Sequence, residues 1–410
     1  MTALYDADTI TDAEPPRPRD WCVLEDGPAD SSAETVRVVT YNILCERYAT
    51  PTKYGYVPEK FLSWNFRRQI ILQELLEQEA DIVCLQELDR NSFEDFFRGR
   101  LAARGYKGVF AQKSRAETLG DNARGVDGCG TFWKDRKYVM LENQQIVLGR
   151  KAVDRPGAKA SSDMLNRVWQ RDDIAMFTFL ENRVSGARLI VANSHVYWDP
   201  AFKDVKLIQV AVLLEELNKH ANRWARDQKA TPLSRKQVYK FTDESDENEA
   251  MPEPGASLEY ASGASIPTIV CGDFNSGPES PVYELFTKRR LEAKHGDFTG
   301  RDYGSFSTEG MSHDFQLKSS NALVSPNYIT NYTPDFADEL DHIFFSTNSL
   351  TPIGVLGEVD PEYLGRTPGF PNAHFPSDHL LLAAEFRVEK PRSAKAVEAD
   401  FGPSSSSRRN

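Results

Sequence analysis

Short apolar runs recur along the chain, separated by polar stretches and by segments with helical periodicity. The runs are rich in Val, Ile, Leu and Phe, which is typical of strands buried in a sheet. They are VRVVTYNIL at 36–44, IVCL at 82–85, GCGTFWK at 128–134, DIAMFTFL at 173–180, ARLIVANS at 187–194, PTIVCG at 267–272, LDHIFF at 340–345 and HLLLAAEF at 379–386.

Three segments have the pattern of helices. Residues 63–79 have apolar side chains at positions 71, 72, 75 and 76, and residues 205–217 are apolar at the same spacing. Ser280 followed by Pro281 predicts a helix start, and the basic residues at 288–290 suit its carboxyl end. Many short strands with few helices predict an α/β fold, a four-layer sandwich of two packed mixed sheets flanked by helices.

The distribution of charge divides the chain into segments. The net charge is −12, yet residues 1–34 hold nine acidic and two basic side chains, and residues 242–254 hold six acidic and no basic ones. Residues 389–410 hold three acidic and five basic side chains, which leaves a net charge of −1 for the rest. We therefore predict a disordered leader (1–34), one catalytic domain (35–388) with a flexible insertion (226–265), and a disordered tail (389–410).

Cysteine usage and hydropathy narrow the class of protein. The five cysteines are odd in number and lack CxxC spacing, which favours buried free thiols in a reducing compartment over a disulfide framework or a zinc site. No apolar run approaches the ~18 residues of a membrane-spanning helix. The acidic start of the chain does not read as a secretory signal.

Polar residues follow or precede the apolar runs at six places. The groups are Asn42, Gln86-Glu87, Asn193-Ser194-His195, Gly272-Asp273-Phe274-Asn275, Asp341-His342 and Ser377-Asp378-His379. Strands of one sheet deliver their ends to one rim, so these groups can converge. Carboxylates, amides and imidazoles without a reactive Ser or Cys suit magnesium or manganese and metal-assisted attack of water on a phosphoester. Each group alone is also an ordinary turn or cap, but all six together disfavour a purely structural explanation.

The order of these groups and the sequences around them resemble the endonuclease/exonuclease/phosphatase superfamily, and within it the deadenylases of the carbon catabolite repressor 4 type. The strings that carry the resemblance are TYNILCERYAT, YGYVP, LSWNFRRQIILQEL, ADIVCLQELD, DGCGTFWK, NSHVYWDP, VCGDFNSGPESPVYE, NYTPDFADELDHIFFS and FPSDHLLLA, which span residues 40–383.

The resemblance implies a role for each matching residue. Glu87, Asn42 and Asp378 match the metal site, and Asp273 with Asn275 matches the pair that orients the attacking water. Asp341 matches the carboxylate that orients His379, and His195 matches the histidine that contacts the scissile phosphate. One position departs from the pattern, because Tyr197 stands where family members commonly have a second histidine.

Substrate specificity is expected from other positions. Pro200 and Phe336 match the family's base-stacking residues, and Asn275 is a candidate for contact with the adenine edge. The structural alternatives are that Pro200 is simply a turn residue and that Phe336 packs in the core.

The resemblance implies a 3′-to-5′ exoribonuclease that shortens poly(A) tails of messenger RNA and releases 5′-AMP. It implies Mg²⁺, with Mn²⁺ as a substitute and two ions during catalysis. The expected partners are poly(A) RNA and subunits of the Not deadenylation complex, and neither DNA nor a membrane is expected as a partner. The expected location is the cytoplasm and also the nucleus. The alternatives are a metal-dependent phosphatase acting on a soluble nucleotide or a phosphoinositide, and a non-catalytic scaffold, which the complete set of catalytic residue types disfavours.

Overall fold

Two large mixed sheets lie face to face and carry most of the strands. The computed structural model describes residues 14–24, 33–158, 161–227 and 256–391. The strands are β1 (Trp21–Val23), β2 (Thr35–Asn42), β3 (Ile82–Asp89), β4 (Tyr106–Gln112), β5 (Asp127–Lys134), β6 (Tyr138–Val147), β7 (Ile174–Asn182), β8 (Arg188–His195), β9 (Thr268–Asp273), β10 (Arg290–Leu291), β11 (Met311–Ser312), β12 (Leu317–Ser319), β13 (Asn331–Thr333), β14 (Phe336–Asp338), β15 (Asp341–Ser346), β16 (Leu350–Leu356) and β17 (Leu382–Val388).

The helices flank these sheets, and most are short. They are α1 (Glu59–Leu62), α2 (Trp64–Glu77), α3 (Arg90–Ser92), α4 (Arg98–Ala102), α5 (Leu148–Ala152), α6 (Lys203–Asp227), α7 (Pro281–Lys288), α8 (Ser305–Thr308) and α9 (Pro361–Leu364). Tighter 3₁₀ turns cover Ser114–Thr118, Gly120–Gly125, Pro200–Phe202, Gly263–Ser265, Gly296–Phe298 and Asn321–Leu323, and wider π turns cover Phe93–Phe97 and Met164–Trp169.

Strand order explains why the sheets are mixed. One sheet has the order β1-β16-β17-β2-β3-β5-β4 and the other β12-β15-β9-β8-β7-β6. The pairs β2–β3 and β8–β9 are parallel, whereas their outer neighbours pair antiparallel. The carboxyl ends of the parallel strands therefore meet the starts of β15 and β5 at the same rim.

Alternation along the strands produces the four layers. Val38 and Ile82 point between the sheets and pack with Ile269 of the opposite sheet. The next residues, Val39 and Val83, point outward and pack in a cluster with apolar residues of α2. The outer face of the other sheet is covered by α6 and α7. Successive side chains of a strand point to opposite faces of the sheet, and each of the two sheets buries both of its faces. The predicted four-layer sandwich is therefore confirmed.

Several predicted elements keep their position. The predicted helix over 63–79 is α2, and the helical pattern from 205 to 217 lies within the longer α6. Ser280 caps α7 by accepting a hydrogen bond from the Tyr283 amide at 3.2 Å, with Pro281 in the first turn. All five cysteines are free, and four of them are buried. No helix of the described residues is long and apolar enough to cross a membrane.

Two predicted boundaries need correction. Residues 21–23, placed in a disordered leader, form β1 and pair with β16, because Trp21 packs against the cluster on that outer face. Residues 256–265, placed in the flexible insertion, return to the domain: the Leu258 amide donates to the Gly186 carbonyl, and Tyr260 is buried. The acidic segment 242–254 and residues 392–410 of the tail lie outside the described residues.

Candidate active site

Asp273 lies at the centre of the rim where the strand ends converge. In the strand register it is opposite His195 of β8 on one side and Asp341 of β15 on the other. Its Oδ2 accepts a hydrogen bond from Asn42 Nδ2 at 3.0 Å. The same oxygen lies 3.3 Å from His195 Nε2 and 3.7 Å from His379 Nε2. One buried carboxylate thus contacts both predicted catalytic histidines.

Glu87 reaches this cluster because β3 contains a bulge. Gln86 pairs with Cys129 and Leu88 with Gly128, so Glu87 is the extra residue, and its φ of 54° is in the left-handed region. The Cys45 amide donates to Glu87 Oε2 at 2.9 Å, and Asn42 Nδ2 lies 3.3 Å from Oε1. Without the bulge, the alternation of the strand would turn this side chain to the opposite face.

The surroundings of Glu87 disfavour its ionised form. Burial first, and the Asp127 and Asp378 carboxylates second, raise the pKa of Glu87 to about 7. Desolvation and repulsion between carboxylates both disfavour the ionised form. A bound cation would reverse both effects.

His379 is paired with the carboxylate that was predicted to orient it. Its Nδ1 lies 2.7 Å from Asp341 Oδ2, and the Asp341 amide donates to Thr330 Oγ1 at 3.0 Å. Burial opposes charge on the imidazole, but Asp341 and Asp273 raise the pKa of His379 well above its usual value. This arrangement fixes the ring orientation and directs Nε2 toward Asp273.

Asp378 lies in the same cleft beside Tyr54. The Tyr54 hydroxyl donates to Asp378 Oδ2 at 2.7 Å, while Oδ1 is buried without a hydrogen-bond partner. Burial opposes ionisation, but His379, Lys53 and Tyr54 hold the pKa of Asp378 below its usual range. An ionised oxygen without a donor is suited to a cation.

Asn275 is held in a tight turn immediately after β9. Its amide donates to Asp273 Oδ1 at 2.9 Å, its Nδ2 donates to the Val196 carbonyl at 3.2 Å, and its φ is 47°. Asparagine tolerates this conformation better than most residues. The turn therefore brings the Asn275 side chain to the His195 strand end.

His195 is neutral at pH 7. Burial, and then the Lys113 ammonium, lower the pKa of His195 to about 4. Lys113 is itself held between two carboxylates, 3.2 Å from Asp127 and 3.4 Å from Asp173. A neutral imidazole can donate a hydrogen bond from Nε2 to an anion without adding a full charge to the site.

One open cleft of about 1240 Å³ is lined by six of the predicted site residues, Glu87, His195, Asp273, Asn275, Asp378 and His379, whereas Asn42 and Asp341 do not line it. Pro200 and Phe336 also line it. Phe336 lies on β14 and is 42% exposed, so the alternative of core packing is wrong for this ring. Pro200 begins a 3₁₀ turn whose start is capped by Asp199, so its role in a turn and its position in the cleft coincide.

The position of Tyr197 shows what replaces the family's second histidine. Its ring packs 5.3 Å from the Phe202 ring, and the Arg171 guanidinium lies over it at 4.2 Å. Tyr197 therefore borders the cleft as part of an aromatic–cation stack, and it contributes no second imidazole.

The sequence did not indicate several residues that line this cleft or support its loops. Trp198 is 65% exposed and lines the cleft. Lys206 is buried at the first turn of α6, and its signal was a lysine inside the apolar run VKLI. Arg67 is fully buried, and its Nη1 donates to the carbonyls of Ile43, Leu44 and Pro376, which ties the Asn42 loop to the loop of Asp378.

The donor set fits a hard divalent cation. Asp273, Asp341 and His379 each offer a ligand atom within 4.8 Å of the others. The buried Oδ1 atoms of Asp341 and Asp378 have no hydrogen-bond partner. Asn42 presents its amide nitrogen to the carboxylates, and its Oδ1 accepts from the Leu44 amide, so in this orientation it positions Glu87 and Asp273. Carboxylate oxygens are the ligands that Mg²⁺ and Mn²⁺ prefer.

Comparison with known proteins identifies relatives over most of the chain. The profile of the Endonuclease/Exonuclease/phosphatase family matches residues 39–379. The CCR4-Not complex 3′-5′-exoribonuclease subunit Ccr4 of Phaeosphaeria nodorum is 49% identical over 402 residues, which are 97% of this chain and 67% of the relative. The protein of the same name from Emericella nidulans is 50% identical over 390 residues, 95% of this chain and 57% of the relative. The chain thus spans little more than half the length of several such relatives.

Solved structures share the fold at lower identity. The crystal structure of ANGEL2, a 2′,3′-cyclic phosphatase, has a TM-score of 0.64 at 22% identity and covers 90% of this chain and 98% of its own. The human Nocturnin catalytic domain with bound sulfate has a TM-score of 0.56 at 22% identity and covers 91% of this chain and 100% of its own. At this identity the likeness supports the fold alone.

Proposed function

The chain belongs to the endonuclease/exonuclease/phosphatase family, and from that premise we propose that it is a 3′-to-5′ exoribonuclease that shortens poly(A) tails and releases 5′-AMP. The observation that carries the proposal is the identity of about half of its residues, over 95–97% of the chain, to proteins named as 3′-5′-exoribonuclease subunits. A cleft that contains oxygen ligands, a neutral histidine and exposed rings supports hydrolysis of an RNA phosphodiester.

Mg²⁺ is the proposed cofactor, with Mn²⁺ as a substitute and two ions during catalysis. Glu87, Asp273, Asp341 and Asp378 are the carboxylates that would hold it. The ion would supply Lewis-acid polarisation of the phosphoryl group and lower the pKa of a bound water. Asn42 and Asp341 orient their neighbours, and His195 and Asn275 would face the phosphoryl group as charge develops on it.

Base stacking is the proposed way in which the cleft binds the tail, and selection of adenine would need additional hydrogen bonds to the edge of the base, for which Asn275 is the candidate. Phe336 and Trp198 are exposed rings at the cleft, and Pro200 adds a flat apolar surface. Arg47 and Lys53 are exposed cations that line the same cleft, and neither has a carboxylate within ion-pair distance among the described residues. Rings with interspersed cations suit a single strand that has several phosphates.

Subunits of the Not complex are the proposed partners, since the relatives are named as subunits of that assembly. The cytoplasm, and also the nucleus, is the proposed location, and five free thiols are consistent with a reducing compartment.

One assay separates this proposal from the phosphatase alternative. RNAs with a 5′ label and A-, U- or C-tails of equal length are incubated with the protein and Mg²⁺, with and without a chelator. We expect loss of the A-tail one nucleotide at a time, release of AMP, and no reaction with the chelator. Release of inorganic phosphate without shortening would support the phosphatase, and equal loss of all three tails would leave a nuclease without poly(A) preference.

A matched pair of variants tests whether the cleft is responsible for tail shortening. Glu87→Gln preserves the size of the side chain and removes its charge. Asp154→Asn makes the same kind of change at an exposed carboxylate outside the cleft lining. We expect only the first variant to lose activity.

A further inference from the structure

Lys206 is a buried cation for which the protein supplies little compensation. Its side chain is in the first turns of α6, it is 5% exposed, and it lines the cleft. Its Nζ donates one hydrogen bond, to the Asn275 carbonyl at 2.7 Å. In the part of the chain that the structure describes, no carboxylate lies within 4.0 Å of Nζ.

Three of the other four buried Lys and Arg side chains of the described residues have a carboxylate within 4.0 Å, and the fourth, Arg67, donates to four backbone carbonyls. Lys113 lies between Asp127 and Asp173, and Arg183 contacts Asp135 at 2.7 Å. Burying a charged group is costly unless it is paired and hydrogen-bonded. An ammonium group has three donors, and one carbonyl satisfies only one of them. Lys206 has one carbonyl partner and no carboxylate at ion-pair distance among the described residues, which indicates an anionic partner from outside the chain.

The position of Lys206 specifies that partner. Its hydrogen bond connects it to the turn of Asn275, whose side chain lies at the His195 strand end. A negatively charged group bound beside Asn275 would approach the ammonium as well. Burial lowers the pKa of Lys206 to about 8, and the more distant Asp273 and Asp199 carboxylates only partly oppose this shift.

A purely structural role for Lys206 would not explain why the buried side chain is a cation. The bond to the Asn275 carbonyl stabilises a turn with φ of 47°. A neutral donor would make that bond without the cost of burying a charge, so the bond does not account for the ammonium.

We propose that Lys206 is a further catalytic residue that binds the phosphate group of the substrate and stabilises the negative charge that develops on it. The identity of that phosphate as part of an RNA tail rests on the proposed function, whereas the contact itself requires only a phosphoester in the cleft. A cation placed in advance where charge develops lowers the barrier without reorganisation.

The test compares the affinities for 5′-AMP and adenosine, which differ only in the phosphate. Calorimetry measures both ligands with the wild type, Lys206→Met and Lys206→Arg, with Mg²⁺ present. We expect Lys206→Met to weaken AMP about 10-fold to 100-fold and adenosine less than about twofold, since a charged hydrogen bond is lost. Lys206→Arg should restore part of the AMP affinity. The control is Lys219→Met, an exposed lysine of the same helix that does not line the cleft.

Two results would overturn the assignment. Equal weakening of AMP and adenosine would mean that Lys206 acts only through the Asn275 turn, and unchanged AMP affinity would mean that it does not contact phosphate. Where Lys206→Met fails to fold, Lys206→Gln serves the same comparison. A wild type that binds AMP through Lys206 but leaves A-tails intact would contradict the proposed function and retain this inference.

Discussion

Truncation of Phe336 to alanine tests whether the cleft reads bases. The ring is 42% exposed and lies on β14, which among the described strands pairs only with β13. Full burial of a phenylalanine is worth about 1.5–3 kcal/mol, so loss of a half-buried ring should lower the free energy of unfolding by only about 1–2 kcal/mol. The variant should therefore stay folded, and a change in activity can be attributed to the substrate.

The expected effect on activity is larger than the effect on stability. Stacking on an aromatic ring is worth about 1–3 kcal/mol per base, and 1.4 kcal/mol is a factor of ten. Phe336→Ala should slow removal of an A-tail by about 10-fold to 100-fold. Because stacking tolerates every base, the residual activity on U- and C-tails should fall by a similar factor unless adenine is held by additional hydrogen bonds.

Trp169→Ala is the matched control for this prediction. Trp169 is a ring of similar exposure, 47%, that does not line the cleft. Initial rates on A-, U- and C-tails are measured for the wild type and both variants, with thermal unfolding to verify the fold. Unchanged A-tail activity in Phe336→Ala, or an equal loss in Trp169→Ala, would refute base stacking at this ring.

Three further predictions concern the metal site and its support. Glu87→Gln should reduce tail shortening by at least about 100-fold and weaken Mg²⁺ binding, and a folded variant with near-normal activity would remove Glu87 from the ligands. Asp273→Ala and His379→Ala should each lower the rate of tail shortening by about 10²–10³-fold. The double variant should be little slower than either single variant, because the two residues serve one transition state, and additive losses would argue against a shared site. Arg67→Met leaves four buried carbonyls without this donor, so urea denaturation should show a loss of about 3 kcal/mol or more, and activity should fall with it. Full stability in that variant would show that the two loops hold their positions without the guanidinium.

Much of the site could be predicted from the sequence, because the ends of strands can be recognised from the sequence pattern. Apolar runs of Val and Ile mark the strands, and the polar residues that follow them lie at the rim by geometry. Asn42, His195 and Asp273 end β2, β8 and β9, where two parallel pairs bring their carboxyl ends together. The residue types alone predict metal-assisted phosphoester chemistry. The prediction of an RNA substrate rests on the resemblance at Pro200 and Phe336.

Only the tertiary structure decided which side chains enter the cleft. Gln86 and Glu87 are adjacent in sequence, yet Gln86 donates to Asn193 between the sheets and Glu87 faces Asp273's cluster, because the bulge breaks the alternation. Arg67 and Pro376 are 309 residues apart, so no local pattern could pair them. Lys206 lies in an apolar helical run, where a lysine ordinarily marks the solvent side. Local periodicity determines secondary structure and faces, whereas bulges, buried charges and long-range hydrogen bonds depend on how the elements pack, and that information is distributed over the whole chain.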